Sequence, residues 1–129
     1  MEDKIHCRYS NNTHVEITTD GVQDVLHTAH DDTGKYVTPG QMLAAALGAC
    51  TLTMMGAVAG KYKQSIDGAT ISVEPIFAPD MTGLKEVKMH ISLPEGLPED
   101  VQKRCLEMAE LCPVHRSLRP GIRFVVNVE

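Results

Sequence analysis

Apolar and polar residues alternate from the start of the chain. Ile5, Cys7 and Tyr9 are separated by His6 and Arg8, a two-residue period that gathers them on one face of a strand. Ser10-Asn11-Asn12-Thr13 then interrupts with side chains that readily bond their own backbone, which is hairpin-turn chemistry. Residues 14–19 resume with β-branched side chains, Asp20-Gly21 turns again, and residues 22–27 can supply a third strand. The pattern predicts an antiparallel three-stranded meander followed by a polar surface loop over residues 30–38.

At Thr38-Pro39 the pattern changes. A hydroxyl that can cap a helix precedes a proline suited to the first helical position. The 19 residues from Met42 to Gly60 carry no charge, and Lys61 and Lys63 follow where a helix C-terminus favours cations. That length approaches a membrane span, but Ala, Gly, Thr and Met dominate it, so the sequence predicts a buried central helix and no membrane. A helix apolar on every side must be covered on every side. One sheet in a small monomer covers about one face, which predicts a homodimer. Ala44, Ala45, Gly48 and Ala49 are small enough to let a second backbone approach.

Strand patterning returns over residues 69–76 and 85–93, joined by a Pro- and Gly-containing loop, with Val87, Met89, Ile91 and Leu93 on one face. Leu97-Pro98-Glu99-Asp100 opens a second helix with acids in its first turn. Val101, Cys105, Met108 and Cys112 recur there at helical spacing. Pro113 ends that helix, a short helical turn can follow, and Ile122, Phe124, Val126 and Val128 read as a closing strand. The order βββ-α-ββ-α-β is α+β, on a single domain spanning 1–129.

Composition narrows the function. With 129 residues, 43% hydrophobic and 22% charged, the chain can bury a core unaided. A net charge of -5 without basic clusters excludes nucleic acid as the expected partner. The N-terminus lacks the cationic start and apolar run of a secretion signal, so a reducing cytoplasmic setting and free thiols are expected. No Gly-rich nucleotide loop is present, and no cofactor is expected.

The four cysteines are the side chains left to carry chemistry. Cys7 and Cys105 lie on apolar faces and read as small buried hydrophobes. Cys50 sits mid-helix among alanines, where packing alone explains it slightly better than chemistry does. Cys112 differs because of Pro113: a residue before proline is pushed out of helical geometry, and proline then suits the first position of a new turn. Cys112 would cap that turn, where backbone N–H groups stabilise a thiolate. His115 and Arg116 follow within one turn and would push the same way.

The stretch Pro39-Gly-Gln-Met-Leu-Ala-Ala-Ala-Leu-Gly-Ala-Cys50-Thr, with Cys112-Pro-Val-His-Arg-Ser-Leu about sixty residues later, resembles the OsmC/Ohr family of osmotically inducible and organic-hydroperoxide-resistance proteins. The second motif is most similar to an OsmC-like branch carrying C-P-V-H-R. The resemblance covers nearly the whole chain. It implies an intertwined homodimer with a central helix, and thiol-dependent reduction of small organic hydroperoxides. On this chain Cys50 would be the peroxidatic nucleophile, and Cys112 would resolve its sulfenic acid to a disulfide that a dithiol reductant reopens. Active family peroxidases hold the thiolate with an arginine oriented by a glutamate at the start of the central helix. Here Gln41 stands at the glutamate's position, and residues 26–38 contain no arginine. Arg8 and Arg116 are the available substitutes, with His27, His30 and His115 as further sources of charge. The candidate site is Cys50, Cys112, Gln41, His115 and Arg116.

Three rival readings remain. His27-x-x-His30 with Cys112-x-x-His115 offers four zinc ligands. A non-catalytic binding domain on the same fold would need neither the arginine nor the glutamate. A hydrolase using Cys112 and His115 would lack an orienting acid.

Overall fold

The computed structural model describes residues 4–118 together with 124, 125 and 127. These fall into two compact units, residues 4–44 and residues 45 onward.

In the first unit, β1 (Ile5–Tyr9), β2 (Val15–Thr19) and β3 (Leu26–Thr28) form an antiparallel sheet in the order β1-β2-β3. Ile5 pairs with Thr19 and Tyr9 with Val15, so the polar segment between them is the hairpin turn expected from its composition. Asn12 and Thr13 take φ of 53° and 66°, and the Thr13 N–H donates to the Tyr9 hydroxyl at 3.3 Å. The third strand is shorter than the expected 22–27. Residues 22–25 make no ladder, and Val22 and Val25 are exposed, so their β-branched side chains find no apolar surface to pack on. Thr28 instead forms a parallel bridge to Val37, with the Ala29 N–H donating to the Val37 carbonyl at 2.9 Å.

Helix α1 (Pro39–Lys61) begins in this unit and continues into the next. Its start is a reciprocal cap. The Gln41 N–H donates to the Thr38 hydroxyl at 3.2 Å, and Gln41 Oε1 accepts the Thr38 N–H at 2.9 Å.

The second unit contains the rest of α1, the hairpin β4 (Thr70–Phe77) and β5 (Leu84–Ser92), α2 (Glu99–Leu111) and α3 (Pro113–Ser117). β4 and β5 pair antiparallel from Thr70–Ser92 to Phe77–Leu84, with a register shift between Ile76 and Phe77. The core joins Met55 and Ala59 of α1 to Leu97 and to Val101, Cys105 and Met108 of α2. Gly48 packs tightly against the sheet: a Cβ there would meet the Cγ2 methyls of Ile71 and Val73 at 3.2 Å. The opposite side of α1 is bare. The most apolar stretch of the helix has mean hydropathy 1.8, yet only 33% of it is buried. Ala45, Ala46, Ala49, Thr53 and Ala57 are exposed.

Of the expected closing strand, Ile122, Val126 and Val128 lie outside the described residues. Phe124 and Val125 are exposed and in no strand.

Candidate functional site

The site is built where α2 gives way to α3. Pro113 imposes extended geometry on the residue before it, and Cys112 has φ -58° and ψ 131°. Cys112 is thus both the last cap of α2 and the first cap of α3, with its sulfur fully buried at 0% exposure. Cys50 comes from the middle of α1 and is half-buried. The two thiols lie near enough for each to shift the other's ionisation. All four cysteines are free thiols.

The surroundings divide charge unequally within the pair. Burial pushes the Cys112 thiol up. Opposing it are the hydrogen bond with Cys50, the N–H groups of His115 and Val114, and the Thr51 hydroxyl, and together they bring it below its ordinary value. The N–H groups act by proximity, since the sulfur makes no formed cap hydrogen bond. Cys50 is raised, chiefly by its hydrogen bond to Cys112, although the Val114 N–H pulls the other way. The surroundings therefore favour Cys112 over Cys50 as the sulfur that gives up its proton.

Thr51 is a member of this site that periodicity could not single out. It is 0% exposed, and its hydroxyl donates to the Leu47 carbonyl one turn back at 2.9 Å. Inside a helix apolar all round, no polar face marks which threonine points inward. Its place directly after Cys50 was the only sequence signal available.

The other candidate residues are placed differently. The His115 ring lies 2.7 Å through Nδ1 from the Ala109 carbonyl, one of the carbonyls that the end of α2 leaves without a helical partner. A carbonyl only accepts, so Nδ1 carries the proton and Nε2 of the neutral ring is left as an acceptor. The ring lines a cavity of about 240 Å³ with Leu47, Val87, Met89 and Leu118. Arg116 is exposed. Among the described residues, no cationic side chain, neither Arg116 nor His115, contributes to the shift of either thiol. What acts on Cys112 from α3 is backbone. Gln41 spends its side-chain oxygen on the Thr38 N–H, which leaves it committed to capping.

Cys105 is buried at 0%, its thiol donates to the Met55 carbonyl at 3.6 Å, and burial raises it, so it is an inert core group. Seven residues separate it from Cys112, about 10 Å of helical rise, which is beyond disulfide reach. Cys7 is exposed on β1, against the expectation of a buried hydrophobe, because the whole of β1 is exposed. The histidines of the zinc reading make other contacts. His27 Nδ1 lies 3.0 Å from His14 Nε2, both rings stack with Tyr36, and the His30 N–H donates to the Thr13 hydroxyl. Among the described residues no three His, Cys, Asp or Glu side chains converge as metal ligands.

Comparison with known proteins places these features in context. The family model described as OsmC-like protein matches residues 30–127, across the junction of the two units. A Psychrobacter arcticus protein assigned to osmotic stress induction and the detoxification response is 25% identical, with a TM-score of 0.81 over 93% of this chain and 89% of that one. The organic hydroperoxide resistance protein OsmC of Legionella pneumophila is 26% identical, with a TM-score of 0.66 over 93% and 90%. An OsmC-like protein from Mycoplasma pneumoniae, 19% identical, shares the fold with a TM-score of 0.79 over 92% and 87%. No curated protein sequence matches.

Proposed function

Since this chain belongs to the OsmC-like family, we propose that it is a redox protein of peroxide detoxification, reducing organic hydroperoxides through Cys50 and Cys112. The observation that carries the reading is the facing thiol pair, with one partly exposed sulfur and one buried, stabilised sulfur. Exposure makes Cys50 the attacking group. Its sulfur bonds to the terminal oxygen of the hydroperoxide as the O–O bond breaks, and its proton passes through the Cys112 sulfur to the departing alkoxide, giving an alcohol. Cys112, again a thiolate, attacks the Cys50 sulfenic acid and expels hydroxide, leaving a disulfide. One dithiol monoanion and one hydroperoxide thus become one disulfide, one alcohol and one hydroxide. A dithiol reductant closes the cycle.

The neighbouring cavity suits the apolar part of such a substrate, and His115 Nε2 offers it an acceptor. No cofactor enters the cycle. The bare face of α1 supports a homodimer. Thr53 is exposed there, but its hydroxyl turns back to the Ala49 carbonyl at 2.8 Å, so the face offers methyl groups to a second copy. The family match across the junction of the two units supports reading the chain as a single domain of a cytoplasmic protein.

A second reading, a weakly active or non-catalytic binding protein on the same fold, draws on Gln41, whose side chain is spent on the cap. Dimedone separates the two. In the Cys112→Ser protein, an equivalent of cumene hydroperoxide should leave a sulfenic acid that dimedone traps on Cys50. Trapping on no cysteine favours the binding protein, and trapping at Cys112 in the Cys50→Ser protein reverses the two roles.

A further inference from the structure

The two sulfurs differ in both of the properties that decide how a disulfide is opened. A thiolate attacks a disulfide sulfur along the line of the S–S bond, from the side opposite the sulfur that leaves. The rate depends on access to the attacked sulfur and on how well the leaving sulfur carries negative charge. Cys50 is half-buried on α1, whereas Cys112 is fully buried between α2 and α3. Attack on Cys50 comes from the side that is partly exposed in the single chain. Attack on Cys112 would require the reductant to come in through packed protein.

The leaving-group side agrees with access. Around Cys112 stand the Val114 and His115 N–H groups at the start of α3 and the hydroxyl of Thr51. They are dipoles already in place for a negative sulfur, held by the Pro113 turn and by helix α1. Cys50 has the Val114 N–H alone besides its partner sulfur.

We infer that the Cys50–Cys112 disulfide is opened from one side only: the dithiol reductant bonds to the Cys50 sulfur and expels Cys112 as the buried leaving thiolate. This rests on the pair cycling as a disulfide. In the first step a reductant thiolate forms a mixed disulfide with Cys50 while the Cys50–Cys112 bond breaks and its electron pair stays on Cys112. In the second step the reductant's other thiolate attacks its own sulfur in that mixed disulfide. The reductant leaves as a cyclic disulfide, and Cys50 is released and takes up a proton. One dithiol is oxidised and one protein disulfide is reduced. The reductant's covalent foothold is therefore Cys50, the sulfur that also meets the hydroperoxide. Cys112 never bonds to anything but Cys50.

The test uses the wild-type full chain oxidised with diamide instead of a hydroperoxide, so that it does not depend on peroxidase activity. The oxidised protein is mixed with excess cysteamine, quenched in acid at short times, alkylated and mapped by peptide mass. The inference expects cysteamine on Cys50 and the alkylating group on Cys112, in about tenfold excess over the reverse arrangement. Cysteamine on Cys112, or an even division, overturns it. A diamide product that lacks the Cys50–Cys112 bond overturns it as well. A protein that opens at Cys50 yet ignores hydroperoxides keeps this inference and loses the peroxidase reading.

Discussion

Thr51 has one hydroxyl proton and two acceptors within reach, the Leu47 carbonyl and the Cys112 sulfur. Thr51→Val removes that donor, and Cys112 should then ionise at higher pH, read from thiolate ultraviolet absorbance across a titration. Thr51→Ser should restore the wild-type curve. The valine protein should also lose about 1 kcal/mol in urea unfolding, as expected for one buried hydrogen bond. The sign of the pH dependence follows from Cys112. Its folded value lies below that of an unfolded cysteine, so its contribution to stability is complete above the unfolded value and fades as pH falls through the folded one. Cys50 is shifted upward, so its contribution is present below the unfolded value and is lost as pH rises through its folded one. Disulfide formation by diamide should accordingly rise with pH at an inflection below the ordinary cysteine range, and Cys112→Ser should remove that inflection. Cys112 was legible in the sequence because Pro113 fixes its backbone through local sterics. The pairing with Cys50 was legible only through family resemblance, because nothing local links residues 62 apart. The His14–His27–Tyr36 stack was not legible at all, since it is made by strand pairing and by a loop that folds back.

Two glycines on α1 make opposite demands. A Cβ at Gly48 would meet the Ile71 and Val73 methyls at 3.2 Å, so a larger side chain must displace both. Gly48→Val should destabilise the protein by about 1–3 kcal/mol, measured by urea unfolding. A Cβ at Gly56 would meet Ile66 at an ordinary 3.8 Å, so Gly56→Ala should stabilise by about 0.5–1 kcal/mol through helix propensity alone. Equal effects at the two positions would mean that the helix does not lie on β4 as described. The elements themselves were largely legible. Thr38-x-x-Gln41 is a capping box spelled out locally, and the alternation from Val87 to Leu93 survives as the half-buried face of β5. Residues 22–25 misled because β-branched composition reports fitness for a half-buried surface, and none is offered there. In α1 the hydrophobic pattern has no period, so the sequence marks the helix without saying which of its faces lies on the sheet.

The bare face of α1 is a matter for the whole molecule. An all-apolar helix with 33% of its most apolar stretch buried leaves methyl-rich surface that water disfavours, and a second copy is the occupant proposed above. Sedimentation should give twice the chain mass, and Ala49→Arg, which puts a cation on that face, should shift it to the mass of one chain. A wild-type monomer would leave the face without its proposed cover. The redox cycle makes its own claim at this scale, because two of the four thiols in each chain must act together while Cys7 and Cys105 stand aside. Counting free thiols before and after one equivalent of tert-butyl hydroperoxide tests that claim most directly. Two thiols per chain should be lost, mapped to a Cys50–Cys112 disulfide and abolished by Cys50→Ser. Survival of all four thiols, at a rate no faster than that of free cysteine, would contradict it.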